Sequence, residues 1–258
     1  MIITVSDHMQ ETLGKVQIKL NYYTYPVFIN ASNNRPDLIA SAVAIQNNSK
    51  SYLVTASHVL NQIEKASSQF YLGLKEQFIC LEGEFIRSMN RNTKRDDFDI
   101  AFYELKPEFV SDNSINVLQE KWLMIKQVFN SIHLSCIHGY PCSKNKQGSA
   151  MKGGNKFSSF AFTYAGKRDD SFNNWTKYNK NCDFHACMNY GRAKDCEGTI
   201  VTPPSPKGIS GGGLWVIPDS FCPEKIYLEG IFIEYYEKDK ISFSTKMSKV
   251  IEFIESNN

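Results

Sequence analysis

The sequence predicts an all-β protein built as two β-rich halves with a closing helix. Two observations carry this. Short apolar stretches recur from Lys15 to Phe243 with turn residues between them, mostly in the two-residue alternation of half-buried strands. Many short strands with frequent turns belong to sandwiches or barrels, not to a parallel α/β sheet. Only the chain end has firm helical spacing: Met247, Val250, Ile251 and Ile254 share one face, and Thr245 is its candidate cap.

Taken in order, Val16, Ile18 and Leu20 alternate with polar residues, predicting a strand over Lys15 to Tyr23. A loop follows from Asn30 to Asp37, then a strand over Ser41 to Ile45. The run Asn47-Asn48-Ser49-Lys50 supplies a turn, and Tyr52 to Thr55 returns as the hairpin partner. A short helical turn covers Val59 to Lys65. Further strands are expected at Phe70 to Leu74, Phe78 to Leu81, Phe85 to Ser88 and Asp99 to Leu105. The mixed segment Val110 to Phe129 reads as the connection, which divides the chain into residues 1–125 and 126–258. The second half is expected to hold strands near Ile132 to Ile137, Phe157 to Tyr164, Phe184 to Tyr190, Gly212 to Ile217, Ile226 to Ile233 and Ile241 to Phe243. The closing helix is placed over 246–256. No internal repeat or low-complexity segment is visible.

The 258 residues suffice for a substantial core, and the net charge of +2 makes no case for a nucleic-acid or membrane-surface binder. Basic clusters such as Lys94-Arg95 and Lys144 to Lys156 read as solvated loops. The amino terminus has no secretory signal pattern, and no apolar window reaches the length of a membrane span. The cysteines number seven, from Cys80 to Cys222, and are expected as reduced thiols in a cytoplasm.

Three local features bear on chemistry. Tyr52 to His58 is an apolar strand running into Thr-Ala-Ser-His. At Asp99-Ile100-Ala101-Phe102 an aspartate opens an apolar strand. Pro206 to Trp215 places Ser210 among Gly208, Gly211, Gly212 and Gly213. Glycines crowd a turn either to reach positive φ or to let a backbone approach something closely. A serine hydroxyl is a poor nucleophile alone and needs a base and an orienting acid. The order His, Asp, Ser is one of the few used by Ser-His-Asp hydrolases.

With these motifs the chain resembles the chymotrypsin/trypsin-like serine peptidases over nearly its whole length, Val16 to Ile254. Thr55-Ala56-Ser57-His58, Asp99-Ile100-Ala101 and Gly208-Ile209-Ser210-Gly211-Gly212 carry the likeness. Gly139-Tyr140-Pro141 is similar to the start of the second barrel in bacterial, including glutamyl endopeptidase-like, members. The resemblance implies two packed six-stranded antiparallel β-barrels and a bacterial, standalone serine endopeptidase. In that reading Ser210 is the nucleophile, His58 the base and Asp99 its orienting acid, with the backbone N–H groups of Gly208 and Ser210 as the oxyanion hole. The strand Ile231 to Tyr235 would pair with the substrate backbone. Pro204 and Ser205 would form the pocket base, with Ile233, Glu234, Tyr235 and Ser242 nearby. No cofactor or metal is implied. The partners expected are a protein or peptide substrate and a regulatory protein, with neither nucleic acid nor membrane.

The chain also departs from that family. Ile209 stands where secreted trypsin-like enzymes carry the aspartate that pairs with a new amino terminus. No cysteine follows His58 to form the disulfide found there. Ile233 stands where animal enzymes place a serine against the catalytic aspartate. No aspartate lies at the pocket base to receive Arg or Lys, and Phe232 stands where a glutamate-selective pocket has histidine. Glu234 reads as a solvated charge that could favour basic neighbours. Cys182, His185, Cys187 and Cys196 fit no strong zinc spacing, and His133 and His138 read as surface or packed residues. The alternatives to an active peptidase are a binding module of the same fold and a latent protease opened by a partner.

Overall fold

The computed structural model describes residues 5–31, 35–74, 77–88, 98–126, 134–146, 159–169, 171–189, 193–194, 200–201, 203–218 and 224–258. The chain begins with helix α1 (Val5–Leu20), where the alternation of Val16, Ile18 and Leu20 predicted a strand. Burial explains the difference. Thr12, Val16 and Leu20, four residues apart, are buried on one helical face, whereas Ile18 is 63% exposed. Lys19 donates from Nζ to the Glu224 carbonyl at 2.8 Å, tying the helix to the far half of the chain.

The first half is a curled antiparallel sheet of seven strands: β1 (Thr24–Ala31), β2 (Arg35–Asn47), β3 (Lys50–Ala56), β4 (Tyr71–Leu74), β5 (Gln77–Cys80), β6 (Ile86–Arg87) and β7 (Ile100–Leu105). Their spatial order is β5-β4-β1-β2-β3-β7-β6. β1 occupies part of the expected 30–37 loop, because its backbone pairs with β2 up to Ala31↔Arg35. The β2–β3 hairpin turns at Asn48 and Ser49, both at positive φ (48° and 66°), a left-handed pair whose twist suits a tight hairpin. Helix α2 (Ser57–Lys65) follows β3 directly and buries Val59, Leu60 and Ile63.

The connection holds helix α3 (Pro107–Asp112), with proline in its first turn where the missing N–H is not needed. It then runs along both halves, bridging Leu118 to Ile45 and Leu123 to Leu228.

The second half forms a closed six-stranded barrel from β8 (Leu134–Gly139), β9 (Phe162–Arg168), β10 (His185–Asn189), β13 (Gly213–Ile217), β14 (Tyr227–Tyr236) and β15 (Ile241–Lys246). β11 (Ala193–Lys194) and β12 (Ile200–Val201) pair separately. Helix α4 (Met247–Glu255) buries Met247, Val250, Ile251 and Ile254, the face its spacing predicts. It packs back on the first half, with Phe253 edge-on to Phe102 at 5.6 Å and Glu255 accepting from Asn48 Nδ2 at 3.2 Å. Thr245 is not its cap. Lys246 holds that position, and the Thr245 hydroxyl instead donates to the Phe98 carbonyl. The architecture is the chymotrypsin-like one: two antiparallel β units side by side and a closing helix.

Five described cysteines, Cys80, Cys136, Cys142, Cys182 and Cys187, are free thiols. Among the described residues no helix is long and apolar enough to cross a membrane.

Candidate active site

Strand register brings His58 and Asp99 together. β3 pairs with β7 so that Ala56 faces Ile100, which puts the start of α2 beside the residue preceding β7. Asp99 then serves two groups. Its Oδ1 accepts the His58 backbone N–H at 2.9 Å, satisfying a donor exposed at the helix start. Its Oδ2 lies 2.7 Å from His58 Nδ1. The Asp99 carbonyl also accepts the Ser57 N–H at 3.0 Å. Asp99 sits at φ +53°, a left-handed conformation that aspartate tolerates better than most residues. Thr245 holds the neighbouring Phe98 from the opposite half. Asp96 and Asp97, which precede Phe98 in the sequence, lie outside the described residues.

The His58 imidazole feels opposing influences. Burial disfavours its charged form, but the hydrogen bond and charge of Asp99 outweigh this and raise its pKa above 6.5.

Ser210 comes from the second half, on the turn before β13. Gly208, two residues earlier, has φ +96°, and a Cβ there would lie 2.6 Å from Cys142 Sγ and 2.7 Å from the Tyr140 carbonyl. Gly211, with φ +85°, passes so close to β2 and β3 that a Cβ would sit 2.1 Å from the Ser41 carbonyl. Both glycines are therefore required by conformation and by close approach. Between them Ile209 is fully buried against Ile137, Tyr164, Met188, Leu214 and Phe232. Apolar packing thus anchors the residue that precedes Ser210.

Ser41, unremarked in the sequence, joins the halves at this turn. Its Oγ donates to the Gly208 carbonyl at 3.0 Å and accepts the Tyr140 N–H at 2.9 Å. Its N–H donates to the Ser210 carbonyl at 2.9 Å, and its own carbonyl accepts from Thr55 Oγ1 at 2.8 Å. Nothing local in the sequence marks it, because its partners are contributed by distant segments.

His58, Asp99 and Ser210 line one cleft of about 530 Å³, together with Ser205, Pro206, Lys207, Phe232, Ile233, Glu234 and Tyr235. Among the described residues, the Gly208 and Ser210 N–H groups donate to no protein acceptor, and no hydrogen bond joins Ser210 to His58. Such bonds are often long in unliganded enzymes and tighten with substrate.

The other predicted residues divide. Pro204 does not line this cleft; its carbonyl accepts from Tyr164 Oη at 2.9 Å. Tyr235 lines it and packs against the same apolar group as Ile209. Ile233 is buried at an irregularity between Phe232 and Glu234 in the β14–β15 register. Glu234 is not a free solvated charge: Lys180 Nζ lies 2.9 Å from its Oε2 and is itself only 12% exposed. Of the stretch Ile231 to Tyr235 expected to pair with substrate, the first two residues already have backbone partners. Ile231 pairs with Gly213, and Phe232 exchanges backbone bonds with Gly211 and Gly212, so the β14 edge is open only from Ile233 onward.

Among the described residues no three His, Cys, Asp or Glu side chains converge as a metal site; Cys196 and His133 lie outside them. His185 is buried, with Nδ1 accepting the Asn181 N–H at 3.1 Å. His138 is wholly buried, its Nδ1 2.8 Å from Thr163 Oγ1, and burial pushes its pKa down to about 3.

The fold is chymotrypsin-like. No family model matches the chain, and no curated protein is similar to it in sequence. Solved structures are similar in fold. Human heparin binding protein aligns with a TM-score of 0.52 at 11% identity, covering 92% of each chain. A structure described under aromatic interactions in the coupled folding and binding of the intrinsically disordered Sesbania mosaic virus VPg protein gives 0.50 at 14% identity, covering 90% of each. A Glu endopeptidase in complex with MPD gives 0.46 at 16% identity, covering 90% of this chain and 88% of that one. At such identities the likeness bears on the fold alone.

Proposed function

We propose that this chain is a serine endopeptidase acting through an acyl-enzyme. The observation that carries the reading is the His58–Asp99 pair, with Nδ1 to Oδ2 at 2.7 Å, opening on the same cleft as Ser210. Ser210 Oγ attacks the scissile carbonyl as His58 takes its proton. Asp99 fixes the imidazole tautomer and stabilises the imidazolium. The undonated N–H groups of Gly208 and Ser210 receive the oxyanion; losing one such donor typically costs about 2.7–4 kcal/mol of transition-state stabilisation. His58 returns the proton to the leaving amine, and water then cleaves the ester by the same steps. The open β14 edge from Ile233 holds the acyl-side backbone as an added strand.

The test is labelling with a serine-directed fluorophosphonate. The wild type is expected to label, and Ser210→Ala and His58→Ala to lose the signal. A wild type that never labels, with or without candidate partners, removes the reading. A second reading, latency, is favoured by the missing Ser210–His58 hydrogen bond: the enzyme would then label only when a partner protein completes the site.

A further inference from the structure

Two clefts meet at Ser210. The one holding His58 and Asp99 also carries Glu234 and Glu237. The other, about 760 Å³, carries Asp37, Lys146 and Lys207. Ser205, Lys207 and Ser210 line both. The open edge of β14 belongs to the first cleft, so on the endopeptidase reading that cleft takes the acyl side. The second then takes the leaving-group side.

Charge differs between them. Glu234 is already held by Lys180, whereas Asp37 and Lys146 are engaged in further interactions of their own. Lys207 is exposed and, among the described residues, forms no ion pair. Its backbone is nevertheless fixed. The Lys207 carbonyl accepts the Cys142 N–H at 2.7 Å, and the next residue is Gly208 at φ +96°. A cation is thus mounted on the rigid turn of the nucleophile, one residue from an oxyanion donor.

We propose that Lys207 makes the enzyme select an acidic side chain in the first positions after the scissile bond; this rests on the endopeptidase reading above. An acidic residue there meets Lys207 and Lys146 against Asp37 alone. On the acyl side the same residue would also meet Lys207, but with Glu237 and the Lys180-paired Glu234 beside it and without Lys146. The preference is that of an exposed ion pair, about two- to fivefold, and weakens with salt.

The experiment uses the full chain and quenched peptides identical except for Glu, Gln or Lys at the first or second position after the cleaved bond. Wild type is expected to cleave the Glu peptides about two- to fivefold faster than the Lys peptides, with the ratio falling toward one in high salt. Lys207→Glu is expected to reverse the order. Because each ratio is internal to one variant, a general loss of activity does not obscure it. Equal cleavage by wild type, or the same order in Lys207→Glu, overturns the proposal while fluorophosphonate labelling of wild type still upholds the peptidase reading. A wild type that neither labels nor cleaves, with or without candidate partners, overturns both.

Discussion

The two halves hold their parts of the candidate site by different physics. On the first, charge and hydrogen bonding set the geometry: one carboxylate binds both the His58 backbone and its ring. On the second, Ser210 is set by a buried Ile209, by two glycines at positive φ and by the Ser41 N–H and hydroxyl, which donate to the Ser210 and Gly208 carbonyls. The first arrangement responds to pH. The second responds to packing.

This contrast can be broken from either side. On the electrostatic side, Asp99→Asn removes the carboxylate that fixes the tautomer, and kcat is expected to fall by up to about 10⁴-fold. It also removes the main influence that raises the His58 pKa, leaving the smaller one of Glu234 against the burial that lowers it. Wild-type kcat/KM therefore falls with acid around a midpoint above 6.5, and the residual activity of Asp99→Asn falls around a lower one; matched midpoints would contradict the assignment. On the packing side, Ile209→Asp drives a carboxylate into an apolar group with no partner described there. Denaturant unfolding should record a loss of about 3–5 kcal/mol, whereas Ile209→Val should lose only about 0.5–1.5 kcal/mol. A tolerated aspartate would mean that the turn is held by something other than apolar contact.

At the seam between the halves, Ser41→Ala strips a buried acceptor from the Tyr140 N–H and a donor from the Gly208 carbonyl. Chemical denaturation should register about 1–3 kcal/mol. Labelling is expected to fall as well, since Gly208 loses its tether; unchanged labelling would separate stability from site geometry.

Acid separates the two histidines. His58 has a raised folded pKa, so its stabilisation is present below about 6.5 and is lost as pH rises through the folded value. His138 is the reverse. Its folded pKa of about 3 means that stability falls on acidification below about 6.5, with a slope of up to about 1.4 kcal/mol per pH unit. Urea titrations of His138→Gln from pH 7 to pH 4 should show a shallower decline than wild type. An identical decline would assign the acid sensitivity to other groups.

The residues now grouped at the cleft were legible because strand register turns short motifs into neighbours. Ala56 opposite Ile100 is enough to join His58 to Asp99. What was not legible depended on distant partners or on ambiguous periods. Val16, Ile18 and Leu20 fit a strand and also a helix; the exposure of Ile18 decides, and three residues of alternation do not reveal it. Pro26 and a polar run hid β1, whose pairing partner β2 supplies its order. Glu234 looked like a solvated charge because Lys180 reaches it from a different loop. Ser41 gave no local sign, because its bonds to Gly208, Ser210 and Tyr140 cross between the halves.

On the proposed reading Ser210 is a nucleophile activated by His58. The most direct measurement is the intact mass of the protein after fluorophosphonate treatment, with the adduct located by peptide mapping. One adduct is expected, on Ser210, formed at a rate that rises with pH around a midpoint above 6.5 and lost in His58→Ala. An adduct on another residue, or one on Ser210 that forms equally fast without the histidine, would contradict it.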